Sequence, residues 1–277
     1  MYVPVAVAAL FLLQVVGSET SYTIQTGDSL TKIGARFGVS PESLADANGL
    51  KLSTRLQIGQ PLRINNRHIV PSVEGARIVV NIPQRMLFWV SSDKTIEGFP
   101  IAAGKRGWKT PVGDFTVASR EVDPTWDVPL SIQAEMQREG KPVLTRVPAS
   151  PQNPLGKYWI GLTIPNVGIH GTNAPASIYS LVTHGCIRLN PEDIEQLFSQ
   201  IEIGMRGRII YETVLIAREG DSLFLEVHPD TYGRAPEPMA IILERARMGG
   251  YLDMLDLTRV AEDIRKLDGV LRDVTRR

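Results

Sequence analysis

Apolar residues in the middle of this chain recur at every second position. From Ala76 the runs RIVVNIPQRMLFWV, TIEGFPIAAG and GDFTVASRE alternate apolar with polar over short stretches. A period of two predicts β-strands, and Pro83–Gln84 divides the first run into the arms of a hairpin. GWKTPVGDF, with Pro111 and Gly113, reads as a turn between strands. The strand pattern fades over residues 121–157, which hold Trp126, several prolines and one short helical run, SIQAEMQRE. An irregular stretch of that length inside a compact domain predicts a lid or a substrate-binding insertion. YWIGLTI, VGIHGT and Cys186–Leu189 resume the strands, and RGRIIYETVLIAREGDSLFLEVH continues them.

A helical period governs three other segments. Over residues 190–201, Ile194, Leu197, Phe198 and Ile201 form an apolar stripe behind Asn190 as N-cap, Pro191 as first helical residue and the acidic Glu192 and Asp193. Residues 22–64 begin and end strand-like. Between those ends, Asp28 is expected to cap a helix carrying Leu30, Ile33 and Phe37, which Gly38 ends, and Ser40–Pro41 opens a second helix. Near the C-terminus, Val260, Ile264, Leu267, Leu271 and Val274 step by alternating fours and threes, predicting a helical tail that packs on its own domain or pairs as a coiled coil. The polar run NNRHIVPS reads as a linker, spanning residues 65–75, with His68 solvated and unpartnered.

Composition narrows the class. Lys+Arg and Asp+Glu are both 30 in 277 residues, so no basic excess argues for nucleic acid or for anionic lipid. A hydrophobic content of 43% suits a globular chain with a real core. Residues 3–16 are apolar except for Gln14, the length of a signal h-region and short of a membrane span, with Gly17 and Ser18 at the expected cleavage point. Residues 1–18 are therefore expected to be a signal peptide, although no Lys or Arg precedes the apolar run; the rival reading is a hydrophobic anchor. No stable span would remain after processing.

Export makes the cysteine count informative. Cys186 is the only cysteine in the chain, so in an oxidising compartment it is a free thiol with no internal partner. Written as one extended strand, HGCIRL puts His184, Cys186 and Arg188 on one face, with Ile187 and Leu189 on the other. A cysteine flanked by two groups able to carry positive charge favours its thiolate. A second histidine, His170 in GIHGT, ends a neighbouring strand-like run. It could take the thiol proton from across the sheet, and Gly185 would let backbone amides approach an acyl oxygen. Two other readings stay open: a zinc site of two nitrogens and one sulfur, for which the motif offers no acidic base, and a purely structural role for all three residues.

Two resemblances extend these readings. YTIQTGDSLTKIGARFGVSPESLADANGLKLSTRLQIGQPLRI, with Asn48 after the second helix, resembles the LysM module over residues 22–64, which implies a βααβ unit binding the glycan strands of peptidoglycan. IHGTNAPASIYSLVTHGCIRL resembles the signature of the L,D-transpeptidase (YkuD-like) catalytic domain, and TPVGDF and NPLGKYWIGL extend the likeness over residues 76–211. That resemblance implies a mostly β catalytic domain, a sandwich with a few helices, followed by C-terminal strands and the helical tail over residues 212–277.

It also implies Cys186 as nucleophile on a peptidoglycan stem peptide and His170 as general base, oriented by the Gly171 carbonyl. His184 and Arg188 would support the intermediate, Gly185 would contribute to an oxyanion hole, and Thr172, Thr183, Tyr179 and Trp126 would contact substrate. No cofactor or metal is required. The acyl acceptor would be another stem, a lysine of an outer-membrane lipoprotein, or water. The rival activities are an L,D-carboxypeptidase, an amidase at the same site, and a wall-binding protein without activity. Two positions depart from the pattern: Thr183 stands in place of Ser, and Tyr179 in place of Gly.

Overall fold

The computed structural model describes residues 14–277. The expected signal peptide therefore falls mostly outside the described residues. Val15–Val16, at its end, pairs antiparallel with His68–Ile69.

The first unit pairs strand Glu19–Thr23 antiparallel with Pro61–Asn65, around helices Leu30–Phe37 and Pro41–Ala47. Leu30, Ile33, Leu44, Leu62 and Ile64 fill its core. Gly38 ends the first helix in the left-handed region at φ 70°. The cap at its start is Ser29, whose hydroxyl accepts from the Lys32 amide, and not Asp28 as expected. Asp28 closes the preceding loop instead, its Oδ2 accepting from the Tyr22 hydroxyl at 2.7 Å and the Gln25 amide at 2.8 Å.

The central unit is a nine-stranded sheet in which Ile96–Gly104 pairs with Met86–Val90 on one side and Ile187–Leu189 on the other, so the sheet closes on itself. Alternate residues point inward, as the period of two requires: Ile78, Val80 and Ile82; Leu87 and Trp89; Phe99, Ile101 and Ala103; Phe115 and Val117; Ile187 and Leu189. Helix Pro191–Gln200 adds Ile194 and Leu197 to this core. Val79, Phe88 and Ala102 point the other way and are buried as well, which explains why MLFWV reads as an unbroken apolar run. Phe88 and Ala102 pack in a second cluster with Ala35 of the first unit, Val70 and Tyr179.

Two sequence expectations need correction here. Residues 68–71 are not a solvated linker. His68, Ile69 and Val70 are buried, and His68 is bonded from Nδ1 to Glu226 at 2.7 Å and from Nε2 to the Gly38 carbonyl at 3.0 Å. The C-terminal tail is not one helix. Strands Val214–Glu219, Ser222–Val227 and Arg272–Asp273 form a sheet covered by helices Pro238–Gly249 and Leu257–Lys266. Leu267 ends the second helix at φ 47°, and Gly269 follows at φ 71°. Val260 and Val274 do share a core, but one does so from a helix and the other from the chain beside a strand, so their heptad-like spacing reflects a common core face and no continuous seam.

Candidate active site

Strands Gly168–His170 and Ile187–Leu189 run parallel, with Ile169 opposite Ile187 and His170 opposite Arg188. The two isoleucines face the core. Alternation therefore puts His170 and Arg188 side by side on the other face, and Cys186 lies at the start of the same strand. From the sequence, His170 is expected to approach Cys186 from a neighbouring strand; the register sets it opposite Arg188, two residues further on. The continuous strand His184–Leu189 was not found. Leu181–Thr183 and Ile187–Leu189 pair with opposite edges of Ile96–Gly104, so residues 184–186 cross over the end of that strand at Gly104. Gly185 makes the turn at φ 114°, a conformation L side chains rarely adopt. His184 and Cys186 thus sit on either side of an elbow, and not in line on one strand face.

Hydroxyls brace this elbow. Thr183 Oγ1 donates to the Cys186 carbonyl at 2.6 Å and accepts from the Gly185 amide at 3.2 Å. Thr110 Oγ1 donates to the Gly185 carbonyl at 2.9 Å, and the Tyr232 hydroxyl meets the Thr110 amide at 3.2 Å and the Gly104 carbonyl at 2.5 Å. With the Gly185 carbonyl held inward and its peptide trans, the Cys186 amide points the opposite way. Thr183, expected to touch substrate, is 3% exposed and spends its hydroxyl on the turn.

His170 is 4% exposed and stacks on Trp159 at 5.9 Å. Gly168 makes room for that indole, since a Cβ there would lie 2.2 Å from the ring. His170 Nδ1 meets the Gly171 carbonyl at 2.7 Å; the carbonyl only accepts, so Nδ1 carries the proton and Nε2 keeps its lone pair. Burial, reinforced by the positive charge of Arg188, lowers the His170 pKa to about 4. Burial also pushes the Cys186 thiol up, against a backbone hydrogen bond at Gly168 and the charge of Arg188. The expected bias toward thiolate is therefore reversed, because desolvation outweighs the neighbouring cation. Both shifts favour the uncharged forms, a thiol and a neutral imidazole.

Around this centre, Arg188 Nη1 donates to Ser177 Oγ at 2.8 Å, and Cys186 Sγ lies 3.7 Å from the Asn166 carbonyl. Thr172 is buried, its hydroxyl accepting from the Ala174 amide. Tyr179 does adopt the left-handed conformation that a glycine would favour, at φ 60°. Its ring is 6% exposed, under Arg85 at 4.1 Å, so it faces the interior and not an incoming substrate. Trp126 pairs with Val147 in the two-stranded neck of the 121–157 insertion. Among the described residues no three His, Cys, Asp or Glu side chains converge as a metal site requires. Sequence reasoning missed Thr110, Ser177, Trp159, Tyr232 and Glu135; the last bonds His184 from the insertion helix. Thr110 in TPVGDF, Trp159 in NPLGKYWIGL and Ser177 in IHGTNAPASIYSLVTHGCIRL lay inside stretches that carried the resemblance; Tyr232 and Glu135 had no such signal.

Comparison with known proteins bears on what this arrangement is. The family described as L,D-transpeptidase catalytic domain (YkuD) matches residues 75–216, and the LysM domain matches residues 22–65. The chain belongs to the L,D-transpeptidase family. It is 33% identical over 255 residues to a Salmonella typhimurium protein described as "Probable L,D-transpeptidase ErfK/SrfK", covering 87% of this chain and 81% of the relative. It is 33% identical over 222 residues to Escherichia coli "Probable L,D-transpeptidase YbiS", covering 78% and 72%. It is 30% identical over 192 residues to Bacillus subtilis "Putative L,D-transpeptidase YkuD", covering 68% of this chain and 98% of the relative. This L,D-transpeptidase also carries an open groove of about 540 Å³ on its LysM unit, between Gly27–Thr31 and Leu52–Ile58.

Proposed function

We propose that this L,D-transpeptidase cleaves a peptidoglycan stem tetrapeptide through a thioester on Cys186 and transfers the acyl group to an amine. The observation that carries this reading is the parallel register that sets His170 beside Arg188 on the face where Cys186 begins its strand. His170 Nε2 accepts the thiol proton as sulfur attacks the carbonyl between the diamino acid and D-Ala. The new oxyanion is met by the outward Cys186 amide at the Gly185 elbow, and Arg188 supplies positive charge. Collapse breaks the C–N bond, with the proton on His170 passing to the departing amine of D-Ala. An acceptor amine then attacks the thioester carbon, forming the new amide and returning the thiol. The acceptor is a second stem or a lipoprotein lysine, with water as the hydrolytic alternative. The LysM groove holds the glycan strand, which keeps the enzyme near its polymer. The protein acts after export, at the cell wall or in the periplasm.

Mass spectrometry of the protein with defined tetrapeptide muropeptides, with and without an added amine, tests this reading. The expected result is D-Ala release, an acyl adduct on Cys186, and a crosslinked product only when the amine is present. Cys186→Ala, a small residue for a small one, should abolish the adduct and leave the fold intact. Turnover by that variant at the wild-type rate would overturn the assignment.

A further inference from the structure

Helix Leu130–Arg138 buries none of its residues. The insertion that carries it is secured at its base, where Asn153 Nδ2 donates to the Pro124 carbonyl and Asn153 Oδ1 accepts from the Leu155 amide, both at 2.9 Å. Apolar packing gives this helix no reason to meet the catalytic rim. Glu135 nevertheless meets it twice. Its Oε1 accepts from Lys105 Nζ at 2.8 Å, and its Oε2 accepts from His184 Nε2. Glu135 and Trp108, whose ring lies edge-on at 5.0 Å, flank the imidazole, and Lys105 reaches it only through Glu135.

A carboxylate only accepts, so Nε2 must carry the proton. In the neutral ring Nδ1 then keeps the lone pair, and Nδ1 has no hydrogen-bond partner among the described residues. The His184 side chain is 30% exposed, whereas His170 is 4% exposed. An acceptor amine arrives from solvent after D-Ala has left, so the imidazole it meets first is the exposed one.

We infer that Glu135 is a positioning residue for the acyl-transfer half of the reaction, holding His184 with Nδ1 free to take the proton of the acceptor amine. This rests on the function proposed above. As the amine nitrogen attacks the thioester carbon, the C–N bond forms and the C–S bond breaks. The electron pair goes to Cys186 Sγ, and the proton leaving nitrogen passes to His184 Nδ1 and from there to sulfur or solvent. Glu135 takes no proton; it fixes which nitrogen is available.

The test separates the two halves in the full-length protein. Stopped-flow acylation by a tetrapeptide muropeptide reads the first half, and transfer from the isolated acyl-enzyme to a second, isotopically labelled muropeptide reads the other. Glu135→Ala should slow transfer at least about tenfold and acylation less than about threefold. Retained acylation also certifies the fold. Glu135→Gln, whose amide oxygen still accepts from Nε2, should recover most of the transfer rate. Lys105→Ala, which loosens the helix without touching His184, should lower transfer no more than about threefold. Equal losses in both halves, a Gln variant as slow as Ala, or a Lys105→Ala loss matching Glu135→Ala would each overturn the inference. Absence of any acyl adduct in the wild type would instead remove the proposed function, and this inference with it.

Discussion

Two imidazole–carboxylate pairs in this molecule share a chemistry and differ in surroundings. In His68–Glu226 the side chains are 4% and 0% exposed; in His184–Glu135 they are 30% and 18% exposed. The buried pair is saturated. Glu226 also accepts from the Ile69 amide at 2.7 Å and Gln84 Nε2 at 2.9 Å, and both His68 nitrogens face acceptors. It joins the LysM unit at Gly38, the chain that follows it, the catalytic sheet at Gln84 and the C-terminal sheet. The rim pair leaves one nitrogen uncommitted. Where every polar atom is satisfied away from water, a charge pair fixes how parts sit together; where one atom is left over at a half-exposed rim, it is free to bond what arrives from solvent.

The largest effect expected of breaking this contrast is on stability. Glu226→Ala should cost about 3–5 kcal/mol, because it strands a buried imidazole and the Gln84 and Ile69 donors. Denaturant unfolding would read it, and a loss no larger than that of an ordinary surface substitution would refute the structural role of the pair.

Acid should act through the same carboxylate. Burial pushes the Glu226 pKa up, but the charge and hydrogen bond of His68, with His228 3.7 Å away, outweigh it and leave it at about 2. Its folded value lies below its unfolded value, so its contribution is present above the usual carboxylate pKa of 4.5 and is lost as pH falls toward 2. His170, held at about 4 against an ordinary 6.5, adds a loss as pH falls through that higher window. Wild-type stability should therefore decline on acidification through both windows. A Glu226→Gln protein should keep the upper decline and lose much of the lower one.

Kinetics sharpen the other side of the comparison. His170→Ala should slow acylation by the tetrapeptide muropeptide more than His184→Ala, by at least about tenfold or ~1.4 kcal/mol of barrier, because the function proposed above has the Nε2 lone pair of His170 take the thiol proton. The reverse order, with both variants folded, would exchange the two roles. The smallest effect expected is that of Glu135→Gln on thermal stability. A half-exposed contact on a helix with no buried side chain should leave the melting temperature unchanged, and a clear drop would show that the insertion is held by more than its neck.

Local pattern alone determined a good deal of this protein. The apolar runs RIVVNIP and MLFWV, divided at Pro83–Gln84, announced a hairpin of the central sheet, while the choice of inward residues was left to the fold because both faces are buried. Pro191, Glu192 and Asp193 marked the start of the helix after Cys186, since those residues answer to the needs of a helix N-terminus. Cys186 and His170 stood out because their residue types and flanking glycines are informative without a partner in view, and the spacing of IHGT to HGCIRL carried the family.

Only the tertiary structure decided what depends on partners distant in the chain. His68 reads as a polar loop residue because Glu226 is 158 positions away. The valines at 260 and 274 read as one helix because a period of about 3.6 cannot tell a seam from two elements sharing a core. Glu135 reads as one acid on an exposed helix until His184 is seen 49 positions further along. The cysteine was expected to lean toward thiolate because charge is written in the sequence, whereas burial is not: desolvation is set by the whole fold, and here it favours the uncharged form of both Cys186 and His170.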